Sequence, residues 1–155
     1  MPVLVNNDQS ANKVDVRWLK KEARRVLKAL ELEDDELSIL LTDDPGIHEL
    51  NRQYRDKDQP TDVLSFPQDD GAVNETGDRL LGDVVISVET ADRQARDHHL
   101  SLQEELILLL IHGILHLMGY DHETSRKDAR FMKTKTQEVF GHIFPGRQPS
   151  GTSNF

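Results

Sequence analysis

The chain has 155 residues, 36% of them hydrophobic and 30% charged, an ordinary balance for one folded domain with a single core. Cysteine is absent, which excludes disulfides, thiolate nucleophiles and cysteine-type zinc sites and leaves His, Asp and Glu as metal ligands. The net charge of −9 excludes simple whole-body attraction to a polyanion, so any nucleic-acid contact needs a local basic surface.

Val3 to Asn6 is a short apolar segment and reads as an edge strand. No signal peptide is expected before it, since Met1 to Asp8 has neither a basic start nor a long apolar stretch. Val16, Leu19, Ala23, Val26, Leu27 and Leu30 recur at three- and four-residue steps, predicting an amphipathic helix with Asp15 as N-cap. Its polar face is basic: Arg17, Lys20, Lys21, Arg24 and Lys28 read as an ordinary solvated helix face or as a candidate contact for an RNA backbone. Leu37 to Thr42 predicts a buried strand. Asp43 can cap a following helix with Pro45 in its first turn and Ile47, Leu50 and Tyr54 on its inner face.

Gln59-Pro60-Thr61 punctuates the chain, and Val63 to Phe66 then predicts a strand stopped by Pro67. Gln68 to Asp78 is polar and reads as a loop, Leu80 to Val88 as a β-branched strand, and Glu89 to Asp97 as a helix, with His98 and His99 in a connecting loop. Ser101-Leu102-Gln103-Glu104 has the capping-box pattern, so a helix should run from there to about Met118. Gly119 ends it. A last helix is predicted from Thr124 or Ser125 to Phe140, carrying a second basic cluster, and no stretch is long and apolar enough to span a bilayer. Residues 1–144 are expected to form one domain, and the Pro/Gly/Ser-rich residues 145–155 a disordered tail. The fold class expected is α+β: a small mixed sheet of about four strands surrounded by helices.

The informative stretch is His112-Gly113-Ile114-Leu115-His116-Leu117-Met118-Gly119-Tyr120-Asp121-His122. Four helical residues turn through about 400° and rise about 6 Å, so His112 and His116 project from one face, one turn apart. Two imidazoles placed so can converge on one ion, and Gly119, at ease at positive φ, can turn the chain back so that His122 supplies a third. Three neutral ligands leave a fourth position for water, the pattern of catalytic zinc sites. Zinc proteases carry a glutamate directly after the first histidine; here that position is Gly113, which argues against a metalloprotease.

This stretch resembles the hallmark of the bacterial YbeY family of metal-dependent endoribonucleases, matching His-Gly-x-Leu-His-Leu-x-Gly-Tyr-Asp-His throughout. Asn51-Arg52-Gln53-Tyr54-Arg55, Pro60-Thr61-Asp62-Val63-Leu64-Ser65-Phe66-Pro67 and Leu81-Gly82-Asp83-Val84-Val85-Ile86-Ser87 are similar to further family blocks. The resemblance covers roughly residues 35 to 140. It implies one Zn2+ per chain on His112, His116 and His122, where another divalent transition metal would also be accepted, Arg55 as a catalytic residue in the same cleft, and a zincin-like arrangement with a central metal helix. It further implies a single-strand-specific endoribonuclease in the cytoplasm, acting in small-subunit rRNA 3′-end maturation and ribosome quality control. The partners implied are rRNA, the small subunit and possible ribosome-associated proteins, with no DNA and no membrane.

The chemistry expected is phosphodiester hydrolysis, in which a metal-held water with a pKa near about 7 supplies the nucleophile. Arg55 would clamp a phosphate through its planar fork of donors. Asp121 can orient an imidazole or cap a turn, and Ser65 and Asp83 sit at strand positions that can face the cleft. No side chain stands out as general base, a role open to metal hydroxide or to an activated RNA 2′-hydroxyl. A ribosome assembly factor with a structural metal, or a metal-dependent hydrolase of another substrate, are the alternatives.

Overall fold

The elements follow one another as β1 (Val3–Asn7), α1 (Val16–Ala29), β2 (Glu36–Thr42), α2 (Asp44–Arg55), β3 (Val63–Pro67), β4 (Leu80–Ser87), α3 (Val88–His98), α4 (Leu102–Leu117) and α5 (Arg126–Ile143). They are those of a computed structural model that describes residues 3–68, 73–120 and 126–150. Four strands form one mixed sheet in the order β1-β2-β4-β3, as the α+β reading expects. β1, β2 and β4 are parallel, with Ile39 opposite Val84 and Leu41 opposite Ile86, while β3 returns antiparallel along the outer edge of β4. Parallel neighbours need a crossover, and α1 supplies the one between β1 and β2.

Alternation along the strands sorts the core into two layers. Leu37, Ile39 and Leu41 of β2 join Val84 and Ile86 of β4 in the larger layer, under α1, α3, α4 and α5. Leu64 and Val85 face the other way and pack with Ile47 of α2. The histidine-bearing α4 and the helix that ends at Arg55 therefore lie on opposite faces of the sheet.

The caps hold to the sequence reading. Asp15 accepts from Trp18 N at 3.1 Å, and Asp43 accepts from Gly46 N at 2.8 Å. At the start of α4, Ser101 Oγ accepts from Glu104 N and Glu104 Oε1 accepts from Ser101 N, so the capping box is closed both ways. The end of β4 differs from expectation by one residue, because the Ser87 hydroxyl caps α3 and so commits Val88 to that helix. Among the described residues, no single helix is long and apolar enough to cross a membrane.

Of the tail set apart from residue 145, the part through Ser150 lies within the described chain and touches the α3–α4 corner. Arg147 donates from Nε and Nη2 to the two carboxylate oxygens of Glu104 at 2.9 and 3.0 Å, and from Nη2 to His99 O at 3.1 Å. Ser150 N donates to His98 O at 2.9 Å. The fork from Arg147, helped by the Ser101 amide, outweighs burial and holds the Glu104 carboxyl at about 2, well below its ordinary 4.5. A carboxyl lowered on folding stabilises the fold above its ordinary value, and the contribution is lost as the pH falls through about 2. Arg147→Ala should therefore lower stability at pH 7, and the difference from wild type should shrink markedly by pH 3. Urea unfolding at the two pH values measures it; a loss equal at both would contradict the pairing.

Candidate metal and RNA site

α4 is the most buried helix of the fold, and its few polar side chains have restricted ways to be accommodated. From Glu104 to Leu117 every residue is buried except His112 and His116. Their rings, one turn apart as the spacing requires, have centroids 5.2 Å apart and planes tilted by 54°. Two imidazoles sharing a tetrahedral zinc at Zn–N of about 2.0–2.1 Å have ring centres roughly 5 Å apart, so this pair could share an ion. Neutral imidazole nitrogens are also the donors that zinc accepts.

The turn that should deliver the third imidazole has the expected form. Gly119 has φ +99°, its N–H donates to His116 O at 2.9 Å, and Tyr120 N donates to Leu115 O at 3.1 Å. This is the glycine-ended helix stop that reverses the chain, and the ring of Tyr120 then stacks on Phe131 of α5 at 4.4 Å. His122 and Asp121 lie outside the described residues. Among the described residues, no cluster of three His, Asp or Glu side chains is set to hold a metal.

Gly113 has a packing role that the sequence reading did not give it. A Cβ there would lie 2.7 Å from Val84 Cγ1 and 3.2 Å from Ser65 Oγ, so the helix meets β4 and β3 backbone-first. Ser65 Oγ donates to Gly113 O at 2.8 Å, which engages that hydroxyl in holding α4 to the sheet. The position that bears glutamate in zinc proteases is here filled by the sheet itself.

Arg55 is the last residue of α2 and is exposed; among the described residues it has no hydrogen bond or ion pair. Its neighbour Tyr54 meets Phe66 edge-on at 5.5 Å, which fixes the end of α2 against the end of β3. From the other face Leu117 reaches the same strand end, close to Gly82, Phe66 and Pro67. The structure thus brings the last turns of α2 and α4 to one end of the edge strand. Asn51 secures the chain after Arg55: its Nδ2 donates to Gln59 O at 2.8 Å, and its carbonyl accepts from Lys57 N at 3.2 Å. Asp83, paired across to Phe66, is half-buried.

A second polar pair on α4 went unread in the sequence. His98 is not in a loop but closes α3, and its Nδ1 lies 2.6 Å from Glu105 Oε1, with both side chains buried. Burial raises the Glu105 carboxyl, and the His98 hydrogen bond opposes that rise. Glu105 stands seven residues before His112 on the same helix, a helical interval that could have flagged it.

The sequence pattern described as Endoribonuclease YbeY matches residues 4–143. The chain belongs to the YbeY endoribonuclease family. A member from Persephonella marina is 46% identical over 141 residues, covering 91% of this chain and 92% of that protein. A member from Aquifex aeolicus is 51% identical over 112 residues, covering 72% and 73%. The solution structure of TM1509 from Thermotoga maritima superposes with a TM-score of 0.63 at 27% identity, covering 94% of this chain and 99% of that one. Family membership carries the enzyme class, a hydrolytic endoribonuclease.

The close approach at Gly113 gives a direct test. Alanine is favoured over glycine in a helix by about 1 kcal/mol, but overpacking against the stiff, buried Val84 costs more. Gly113→Ala should lose about 1–2 kcal/mol net in urea unfolding, and adding Val84→Ala should recover part of it. A Gly113→Ala protein as stable as wild type would show that the helix does not sit this close.

Proposed function

We propose that this chain is a zinc-dependent, single-strand-specific endoribonuclease of ribosomal RNA, acting in small-subunit 3′-end maturation and ribosome quality control in the cytoplasm. The observation that carries the reading is the histidine pair, half-buried one turn apart in the otherwise buried stretch Glu104 to Leu117, in a chain of the YbeY family. From Glu104 onward the helix buries every apolar side chain up to Leu117, and the two imidazoles one turn apart are its half-exposed positions there.

His112 and His116 would hold the ion, with His122 as the third ligand. Zinc when bound supplies Lewis acidity toward a phosphoryl oxygen and lowers the pKa of a water toward about 7. The remaining work falls to the protein. Arg55, at the end of α2 and exposed, would take a non-bridging phosphate oxygen pair through its fork of donors and stabilise charge that grows in the transition state. Asn51 and the Tyr54–Phe66 contact keep the base of that arginine fixed. An unpaired strand suits a site at the edge of a sheet, because phosphate and base can be approached without opening a duplex. The small ribosomal subunit is the partner this substrate implies.

Arg55→Ala should keep fold and bound metal but lose at least about 100-fold in cleavage of single-stranded RNA, the scale of removing one transition-state donor. His112→Ala should lose both metal and cleavage. Gel assays with purified variants and metal analysis of the same preparations check this. Variants that cut like wild type would overturn the reading, and a growth defect that follows ribosome binding instead of cleavage would favour an assembly factor.

A further inference from the structure

The chain is acidic as a whole, yet its basic residues are concentrated. α1 and α5 together hold 11 of the 19 Lys and Arg residues and only three of the 28 Asp and Glu, a net +8 within a chain of −9. Everything outside these two helices is therefore strongly negative. The two helices pack against each other and cover α4 on the same face of the sheet. Leu19, Ala23, Val26 and Leu27 turn α1 inward, and Met132, Thr136, Val139 and Phe140 do the same for α5. What remains on the outside is Lys21, Arg24 and Lys28 on one helix and Lys127, Arg130 and Lys133 on the other, all exposed.

Little of this charge is spent internally. Glu22 pairs with Arg25, and Glu138 with Lys135 at 3.5 Å; among the described residues the six side chains just named have no carboxylate within ion-pair distance. The patch also leads to the site. Phe131, beside Arg130, stacks on Tyr120 immediately after the stop of α4, and Arg126 follows His122 by four residues.

We propose that the joined outer faces of α1 and α5 form a track for the phosphate backbone of single-stranded RNA, which delivers the strand to the histidine end of α4. This rests on the RNA reading above and adds the route by which an acidic protein captures a polyanion. A net positive face on a body of net negative charge orients the encounter, because the summed charge of the rest of the chain repels the same ligand. Phosphate contacts made by lysine and arginine position a strand without reading its sequence, so the face serves affinity and approach, not choice of base.

The test is binding of fluorescently labelled single-stranded RNA of about 20 nucleotides, read by anisotropy with chelator present so that nothing is cut. The variants are Lys21→Ala/Arg24→Ala/Lys28→Ala on α1 and Lys127→Ala/Arg130→Ala/Lys133→Ala on α5. Alanine favours helix, and circular dichroism confirms that each variant is folded. Each triple variant should bind roughly 10-fold or more weakly at low salt, and the slope of log K against log salt should fall by about 2, the release expected for three single-strand phosphates. Cleavage of a short oligonucleotide that occupies only the histidine end should be unchanged in the α1 variant. Affinity and slope equal to wild type in both variants would overturn the proposal. RNA that wild type binds with the full slope but never cuts would instead count against the endoribonuclease reading, so the two failures are told apart.

Discussion

The burial of α4 against β3 and β4 is the constraint from which the site follows. Each leucine or isoleucine that this helix hides is worth about 1.5–3 kcal/mol, and together they fix it between the sheet and the helices above it. Gly113 lets the helix approach until its backbone accepts from Ser65 and touches Val84. Such burial leaves no neutral place for a polar side chain, since an unpaired buried charge costs several kcal/mol. The four ionisable residues of α4 meet this in three ways. Glu104 is reached by Arg147, Glu105 shares a hydrogen bond with His98, and His112 with His116 is only half-buried. Between Glu104 and Leu117 these two half-buried imidazoles, one turn apart, are the only departures from full burial.

The fold also brings the end of a second helix to the strand end that α4 reaches, by using both faces of the sheet. β3, an edge strand, is short and ends at Pro67, so the last turns of α2 and α4 can meet its end from opposite sides without a strand between them. Arg55 is held there by its own helix and by the Asn51 staple behind it. Side chains carried on rigid helices and strands are held more closely than side chains on loops. The segregation of charge onto α1 and α5 works at longer range and on the same face as α4.

Local signals in the chain proved sufficient for local structure. The Asp15, Asp43 and Ser101 caps, the His112–His116 interval and the Gly119 stop were all legible because each is a relation between residues a few positions apart. Relations across the fold were not. Gly113 could be read only as a missing glutamate until Val84, 29 positions earlier, was found against it. The same holds for Arg147 and Glu104, 43 residues apart. His98 looked like a loop residue because nothing nearby shows that α3 continues through it and turns its ring inward toward Glu105. The sheet order, with β4 between β2 and β3, is likewise set by which faces bury each other and not by any single segment.

On the proposed function, the rings of His112, His116 and His122 would serve one ion. Zinc K-edge absorption, with elemental analysis of the untagged protein, addresses it without any assay of activity. The result expected is one zinc per chain, with three imidazole nitrogens at about 2.0–2.1 Å, and loss of the ion on His116→Ala. Protein that is folded and cuts RNA with no stoichiometric metal, or that keeps its ion after His116→Ala, would contradict the account.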